Sequence, residues 1–393
     1  MNQAVSRRGF VAMTAASSMR VLGANDRIRL GAIGTGGRGR YLMSQANKAG
    51  GHQWVAVCDA YDVQRDKAAE IAGGAVEKFG DYRRVLDRKD IDGVTIATWD
   101  NTHCDITVEA CRAGKDVYVE KPMTLHPMEG HQIVKAVREN KRVLQTGTQQ
   151  RGYPHFQEAK ERFIDSGRIG QVTMVRTIWN GNGAYRNMAP PAGMETKPEG
   201  MDWNACQGKL SKVPWHPKRY FNHYVYWDYS TNAQMGGLFV HMVDVVHWYL
   251  KVNKPLAADC FGGIYLGRED RDTADNINAI LEYPKKLLVT FEANVTDMIP
   301  SENADIIFMG TGGRLSIFRY GYKFLPVEEK GKGAITSGPT PELHVANWLE
   351  CMRTRSKPLC DEEAGHYSAM ACHISNIAYK QHRRIEWKKE WDV

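Results

Sequence analysis

A glycine-rich turn lies near the start of the chain, directly after a short apolar segment. Gly34, Gly36 and Gly39 give the spacing G-x-G-x-x-G, with Gly37 and Arg38 between the last two. In this spacing the first glycine permits a tight turn, the second lets the backbone approach a pyrophosphate, and the third allows close helix packing. The N-terminus of the following helix also favours negative charge. The turn predicts dinucleotide binding, and we assign all five residues to the cofactor.

A carboxylate follows at the distance that a dinucleotide site requires. The apolar segment 53–58 ends at Asp59, which lies 25 residues beyond Gly34. A carboxylate at this position accepts hydrogen bonds from the ribose hydroxyls of NAD and repels the additional phosphate of NADP. Arg65 lies nearby and would suit that phosphate. NAD is therefore the predicted cofactor, with NADP as the less favoured alternative.

Two further strand ends carry polar residues. Apolar strands alternate with helical segments between residues 28 and 147, which predicts a parallel, doubly wound sheet. The strand at 93–98 runs into the turn Thr98–His103, and a later strand delivers Glu120-Lys121-Pro122. Because such sheets bind ligands outside the carboxyl ends of their strands, we expect these turns to face the ligand.

A helical segment at 236–248 carries His241, Asp244 and His247 at intervals of three residues. Adjacent members of this set can share one helical face. Helical metal pairs usually lie four residues apart, and none of the eight cysteines forms a Cys-x-x-Cys pair. A metal-dependent hydrolase is therefore disfavoured, and we predict no metal site. On spacing alone, His241 is as well explained by satisfied packing in the core.

The pattern changes after about residue 149. Longer strands without intervening helices predict a mostly antiparallel sheet; they lie at 172–179, 277–283 and 287–292. Between the first two lies a long aromatic-rich segment, residues 180–235. Aromatic faces beside polar side chains suit a sugar ring, so Tyr226, Trp227 and Asp228 are predicted to bind a carbohydrate substrate. The alternative is that the segment only covers hydrophobic surface.

The charge of the chain argues against a nucleic-acid partner. The formal charge is +7, but three arginines lie in residues 1–24, and the remainder has 49 Lys and Arg against 45 acidic residues.

Arg7-Arg8 before a short apolar stretch resembles a twin-arginine signal, so we expect export to the periplasm, with the cytoplasm as the alternative. No later segment is apolar enough for membrane insertion to be expected.

Several motifs together resemble the Gfo/Idh/MocA oxidoreductase family. They are Glu120-Lys121-Pro122, the turn Thr98–His103 with Trp99 in place of proline, Gly167–Gly170, and the histidine-bearing helix at 236–248. The resemblance implies an α/β Rossmann domain at 25–148 and an α+β domain at 149–393, with a large, mostly antiparallel open sheet. It also implies that the C-terminal helices pack back toward the interdomain region. A homo-oligomer, dimer or tetramer, formed through that sheet is expected.

The resemblance also implies roles for individual residues. Lys121 would lie between nicotinamide and substrate and polarise or deprotonate the reacting hydroxyl, with His241 as its acid or base partner. Burial beside a cationic nicotinamide would lower the pKa of such a lysine. Cofactor contacts are implied for Thr98, His103, Glu120 and Lys121, and a substrate contact for Asp244.

One position departs from the family pattern. The family's catalytic aspartate lies four residues before the histidine, where this chain has Gly237. Asp228 is one candidate for a substitute carboxylate.

The predicted function is therefore NAD-dependent oxidation of a hydroxyl group of a sugar or sugar derivative by hydride transfer. Two alternatives remain open at this stage. One is redox-assisted glycoside cleavage with a tightly bound, recycled NAD, which would accumulate no NADH. The other is a sensor that binds NAD without chemistry, because a fold alone does not guarantee activity.

Overall fold

The computed structural model describes residues 27–181, 189–266, 271–294, 305–327, 334–336 and 339–393. The predicted export signal at 1–24 lies outside the described residues. Two sheets organise the chain, one parallel with six strands and one mostly antiparallel with nine. The predicted fold class is thereby confirmed.

The first sheet has the strand order β3-β2-β1-β4-β5-β6, and all of its pairs are parallel. This order is that of a dinucleotide-binding Rossmann domain, with the strand order reversing next to β1. Its strands β1 to β6 are Ile28–Ile33, His52–Cys58, Glu77–Phe79, Gly93–Ile96, Asp116–Val119 and Leu144–Thr146. Its helices α1 to α5 are Gly37–Ala49, Asp62–Ala72, Arg83–Leu86, Asp100–Arg112 and Glu129–Glu139.

The second sheet has the order β14-β13-β12-β11-β7-β10-β9-β8-β15, and only β7 and β10 pair in parallel. One of its faces is covered by helices and carries the largest hydrophobic core. Its strands β7 to β15 are Val172–Asn180, Ala257–Gly263, Asn276–Tyr283, Leu287–Asn294, Asp305–Gly310, Gly313–Phe318, Gly321–Pro326, Ala334–Thr336 and Ile385–Glu386. The helices α6 to α9 are Pro154–Ala159, Trp203–Cys206, Pro217–Phe221 and Val240–Leu250, and α10 and α11 are Pro341–Thr354 and Glu362–Gln381.

Short helical turns complete the chain. A π-helical segment, Asn232–Phe239, runs directly into α9, so the predicted helix at 236–248 begins as a π-helix. A second π-helical segment is Lys160–Asp165, and 3₁₀ turns are found at Gln149–Gly152, His223–Val225 and Lys389–Trp391. π-helical segments are frequent at functional sites because the widened turn redirects side chains.

The two C-terminal helices pack against different partners. Helix α10 buries Val345, Trp348 and Leu349 in one cluster with β1, β2 and α1 of the Rossmann domain. Helix α11 lies between α9 and β8 on one side and α5 on the other. The Rossmann core is therefore completed by a segment distant in sequence, and α11 joins the two domains. No helix of the described ranges is both long and apolar enough to span a bilayer.

Candidate active site

A cleft of about 860 Å³ opens at the carboxyl ends of β1, β2 and β4. The glycine-rich turn lines its floor. Gly34 has a φ of +79°, and its N–H donates to the carbonyl oxygen of Cys58 at 2.9 Å. A Cβ atom added at Gly39 would lie 1.9 Å from the carbonyl oxygen of Gly34, whereas one added at Gly36 or Gly37 would meet nothing within 4 Å. The outer glycines allow close packing, and the middle ones leave the backbone open to a ligand.

Asp59 lies at the end of β2 on the wall of this cleft. Its carboxylate accepts hydrogen bonds from the N–H groups of Thr35, at 2.6 Å, and Tyr61, at 3.0 Å. Burial raises the pKa of Asp59, while these hydrogen bonds and the charge of Arg65 oppose the rise. The Arg65 guanidinium donates to the Asp59 carbonyl oxygen at 2.6 Å. The open turn followed by a fixed carboxylate fits a dinucleotide with its ribose at Asp59.

A segment of the second domain, residues 200–220, covers the cleft. Met201, Cys206 and Tyr220 of this segment line the cleft. The N–H of Asp202 donates to the Ala60 carbonyl at 2.8 Å, and Lys209 forms an ion pair with Asp105 at 2.5 Å. The covering segment is thus attached to the end of β2 and to helix α4.

Glu120, predicted to contact the cofactor, is held by the glycine-rich turn. It follows β5, is buried, and accepts from Arg38 at 2.6 Å. Burial lowers the pKa of the Arg38 guanidinium, but the Glu120 carboxylate and other nearby groups together raise it by more. The second Glu120 oxygen accepts from the Lys121 N–H at 3.2 Å. Arg38 and Glu120 therefore connect the cofactor turn to the backbone of Lys121.

Two other predicted cofactor residues shape the same region. Thr98 lines the cleft, but His103 is buried and contacts only protein. Its Nδ1 lies 2.7 Å from the Pro122 carbonyl oxygen and its Nε2 lies 3.1 Å from that of Thr98. His103 joins the end of β4 to the Lys121-Pro122 turn, so it positions the site and does not reach the cleft.

Lys121 and the histidine helix meet at the inner end of this region. The Lys121 ammonium donates to the Gly237 carbonyl oxygen at 2.9 Å. His241 lies four residues further along the same helix, on the next turn, and is buried. Within the described residues, the His241 Nδ1 has no hydrogen-bond partner. Burial lowers the pKa of His241 well below its usual value, and the charge of Lys121 lowers it further. His241 is therefore neutral at pH 7.

A carboxylate does approach Lys121, although Gly237 cannot supply one. Asp100 begins α4, and one of its oxygens accepts from the Thr231 N–H at 2.9 Å. The Thr231 carbonyl in turn accepts from the N–H of Gly236, next to the Lys121 contact. Burial raises the pKa of Asp100, whereas the charges of His103 and Lys121 oppose the rise. Asp100, which is half-buried, is the carboxylate on which the charge of Lys121 acts, and Asp228 is exposed.

The predicted substrate residues are engaged elsewhere. Asp244 is fully buried, and both of its oxygens accept from Arg151 at 2.7 Å. Asp228 is exposed and pairs with Arg219 at 2.9 Å. We therefore correct the assignment of Asp244, whose carboxylate is enclosed by protein, whereas the substrate role of the exposed Asp228 stays a prediction.

The aromatic segment packs mainly on itself. Tyr226 is buried in a cluster that also contains Trp203 and Tyr229, and Trp99 of the Rossmann domain packs against this cluster. Trp227 donates from its indole to the Asp272 carbonyl, and the Lys380 ammonium lies 3.5 Å from its ring centroid. The alternative interpretation, a segment that covers hydrophobic surface, describes Tyr226 better than sugar binding does.

The aromatic ring that does lie beside His241 is Trp179, at the end of β7, with 6.5 Å between ring centroids. The Arg319 guanidinium lies over the same indole at 5.6 Å. Neither was predicted to belong to the site. Trp179 carried only a strand signal, and Arg319 lies in a short turn, between β12 and β13, that has no motif.

Family comparisons agree with this architecture. A model described as "Oxidoreductase family, NAD-binding Rossmann fold" matches residues 28–148, and one described as "Oxidoreductase family, C-terminal alpha/beta domain" matches residues 176–392. The chain belongs to the Gfo/Idh/MocA oxidoreductase family. The predicted family and an NAD-binding Rossmann domain are therefore confirmed.

Individual relatives of this family are similar over part of the chain. Inositol 2-dehydrogenase of Salmonella paratyphi B is 27% identical over 57% of this chain and 54% of its own length. That of Rhizobium meliloti is 36% identical over 38% of this chain and 44% of its own. This chain thus spans about half the length of the curated relatives it matches.

Solved structures are similar over nearly the whole chain. Levoglucosan dehydrogenase in complex with NADH and levoglucosan has a TM-score of 0.74 at 15% identity, covering 92% of this chain and 99% of its own. The WlbA dehydrogenase from Bordetella pertussis, in complex with NADH and UDP-GlcNAcA, has a TM-score of 0.70 at 19% identity with the same coverage. At these identities the likeness establishes the shared fold.

No group of three or more potential metal ligands lies together in the described ranges. The helical residues His241, Asp244 and His247 do not share a partner. Asp244 binds Arg151, and the His247 Nε2 lies 2.7 Å from the Tyr283 hydroxyl. The His247 Nε2 thus has a partner in the core, whereas its Nδ1, like that of His241, has none among the described residues.

Proposed function

We propose that the protein is an NAD-dependent oxidoreductase that oxidises a hydroxyl group of a sugar or sugar derivative. The observation that carries the proposal is the convergence of Lys121 with the helix that bears His241, beside a dinucleotide cleft. Lysine and an unpartnered neutral histidine are the groups that acid–base chemistry at a hydroxyl requires. The inositol and levoglucosan dehydrogenases in the same family support a polyhydroxylated substrate.

The chain's residues divide the proton chemistry between them. A bound nicotinamide supplies the acceptor for the hydride that leaves the carbon. The substrate hydroxyl binds between the Lys121 ammonium and the His241 imidazole. His241, being neutral, accepts the hydroxyl proton, and the ammonium stabilises the charge that develops on the oxygen. Asp100 and the Gly237 carbonyl orient the ammonium.

NAD is proposed over NADP because of Asp59. Its carboxylate is fixed by two backbone N–H groups where a ribose would bind, and it would repel a 2′-phosphate. Arg65 is engaged by the Asp59 carbonyl. In Asp59→Ser, we expect the ratio of kcat/KM for NAD to that for NADP to fall by about tenfold or more. A tenfold change corresponds to about 1.4 kcal/mol of lost discrimination. An unchanged ratio would contradict this assignment.

The central experiment supplies purified protein with NAD and a panel of polyols, free sugars and chromogenic glycosides. It follows absorbance at 340 nm together with aglycone release. Lys121→Met should lower kcat by about 10²- to 10⁴-fold while NADH still binds, because loss of a positioned acid–base group has this size. Lys135→Met, which changes an exposed lysine on α5, is the matched control.

The outcomes separate the three functions considered. NADH formation that Lys121→Met removes supports the dehydrogenase. Aglycone release without net NADH would replace it by redox-assisted glycoside cleavage. NADH binding with neither product across the panel would replace it by a non-catalytic sensor.

We also propose a homo-oligomer formed through the outer face of the nine-stranded sheet. Register places apolar side chains from neighbouring strands on that face, and no helix of the described ranges covers them. They include Phe261, Ile280 and Leu288, which are 72%, 48% and 43% exposed. Light scattering should give a dimer or tetramer, and Ile280→Glu should shift it toward the monomer. A monomeric wild-type protein would contradict the proposal.

A further inference from the structure

Arg319 reaches the candidate site from the far edge of the second domain. It occupies the turn Arg319-Tyr320 that connects β12 to β13. Its guanidinium lies 5.6 Å from the Trp179 ring, and this ring lies 6.5 Å from that of His241. The charge of Arg319 contributes to lowering the pKa of His241, after burial and Lys121. The turn therefore brings a cation within electrostatic range of the acid–base pair.

The other charges around His241 already have partners. Arg38 is paired with Glu120, and Lys121 has the Gly237 carbonyl and the nearby charge of Asp100. Across the part of the chain that the structure describes, Arg319 forms neither an ion pair nor a hydrogen bond. The charges of Lys121, Arg319 and Arg38 all act to lower the pKa of His241. Of these three cations, Arg319 is the one with no hydrogen-bond or ion-pair partner among the described residues.

We propose that Arg319 and Trp179 form an anion-binding subsite, and that the substrate is an acidic sugar bearing a carboxylate or a phosphate. The proposal rests on the proposed oxidation of a sugar hydroxyl and specifies its substrate class. A guanidinium that stacks on an indole keeps its in-plane N–H groups free, and these match the two oxygens of a carboxylate or phosphate. An acidic group bound there leaves the sugar ring next to His241 and Lys121.

The alternative partner of Arg319 is the cofactor itself. The pyrophosphate site lies at the N-terminus of α1, where Gly36 and Gly37 leave the backbone open. Arg319 lies on Trp179, whose ring neighbours that of His241, and its charge also acts on Tyr41 near the start of α1. The contact with Trp179 beside the acid–base pair is the reason to choose the substrate, and the two partners make different predictions for NADH affinity.

The test measures sugar binding to the NADH-loaded protein by isothermal titration calorimetry, with D-glucuronate, D-glucose 6-phosphate and D-glucose as probes. The wild type should bind at least one anionic sugar about tenfold or more tightly than glucose. Arg319→Ala should lose about 10- to 100-fold of that affinity, the range for hydrogen bonds to charged groups, while glucose and NADH bind as before. Arg319→Lys should restore part of the loss. Arg314→Ala, which changes an exposed arginine on β12, is the control and should change none of these affinities.

Preference for glucuronate or for the phosphate identifies which anion the subsite takes. Equal binding of glucose and both anionic sugars, or no binding of either anionic sugar, would overturn the proposal. An Arg319→Ala protein that keeps its anionic affinity, or that loses NADH affinity instead, would overturn it too. In a parallel assay the same sugars are supplied to the protein with NAD in place of NADH, and absorbance at 340 nm is recorded. Arginine-dependent binding without NADH formation would support the subsite and count against the dehydrogenase, so the two proposals fail separately.

Discussion

The cofactor cleft and the acid–base cluster meet at Lys121, but they are built from different parts of the chain. The cleft is built mainly by the Rossmann domain, from the turn at 34–39, the end of β2 at Asp59 and the end of β4, and it is covered by residues 200–220. The acid–base cluster consists of side chains from distant segments, Lys121, Trp179, His241 and Arg319. We therefore expect the cleft to be disrupted by added atoms, and the acid–base cluster to be disrupted by the removal of charged groups.

This difference follows from what each part must bind. A pyrophosphate is recognised by N–H groups and a helix terminus, which every residue type supplies provided that no Cβ atom intervenes. Proton transfer needs particular side chains, and in a buried site their charges must be paired or desolvation penalises them. In the second domain, the buried carboxylate of Asp244 is accordingly paired with Arg151.

The largest effect is expected at His241. In His241→Gln, kcat should fall by about 10²- to 10⁴-fold with an unchanged NADH dissociation constant, because a proton acceptor is lost while the cleft is untouched. In the wild type, the acid limb of the kcat/KM profile should lie below the usual histidine range, since burial and nearby cations lower the pKa of His241. A variant that loses NADH affinity in parallel would mean that the two regions are not separate.

A smaller effect is expected when a buried pair in the second domain is broken. Arg151→Met leaves the fully buried Asp244 carboxylate uncompensated, so the free energy of unfolding in urea should fall by about 3–5 kcal/mol. Arg151→Met/Asp244→Leu should recover most of the loss, because both charges are then absent. Arg176→Met opens the exposed pair with Glu292 and should cost at most about 1 kcal/mol. Equal losses in the single and double variants would contradict the pairing argument.

The glycine turn allows the cleft to be tested with single methyl groups. Gly39→Ala places a Cβ atom 1.9 Å from the Gly34 carbonyl oxygen and should reduce stability by about 1–3 kcal/mol. Gly36→Ala meets nothing within 4 Å, so its melting temperature should be unchanged while NADH binding weakens. The comparison measures thermal unfolding without ligand and NADH titration by fluorescence. Loss of stability in both variants would show that the turn is not open.

The sequence predicts the cofactor cleft better than the acid–base cluster, for the same physical reason. The turn at 34–39 and Asp59 depend on local spacing, and strand and helix patterns place them correctly. The segment Thr98–His103 was predicted as a turn, but helix α4 begins within it, at Asp100, and the Asp100 carboxylate accepts from the Thr231 N–H. An error of three residues in a helix start thus concealed a charged group.

The remaining errors involve long-range packing. Aromatic content predicted a sugar platform at Tyr226, but composition cannot tell whether a ring faces a ligand or another ring. The position of Arg319 depends on the pairing of β12 with β11 and of β11 with β7, over more than a hundred residues of sequence. Helix α10 completes the Rossmann core from the other end of the chain. No local sequence pattern predicts these contacts.

Acid stability tests the helix that joins the two regions. His373 on α11 is buried, and its Nε2 lies 2.9 Å from the hydroxyl of Thr124, close to the Lys121 turn. Burial lowers the pKa of His373 to about 3. Since the unfolded value is about 6.5, the unfolded state binds a proton that the folded state excludes, and stability falls as the pH drops from about 6.5 toward 3.

Replacing this histidine should therefore flatten the pH dependence of stability. His373→Gln should reduce the slope of unfolding free energy against pH by up to about 1.4 kcal/mol per pH unit below about pH 6.5, the value for one proton. The adjacent Ile374→Val costs about 0.5–1.5 kcal/mol at every pH and should leave the slope unchanged. Urea denaturation at a series of pH values gives both numbers. If the two variants kept the same slope, the Thr124 contact would accept a charged His373, and the acid sensitivity would have to arise from other buried histidines.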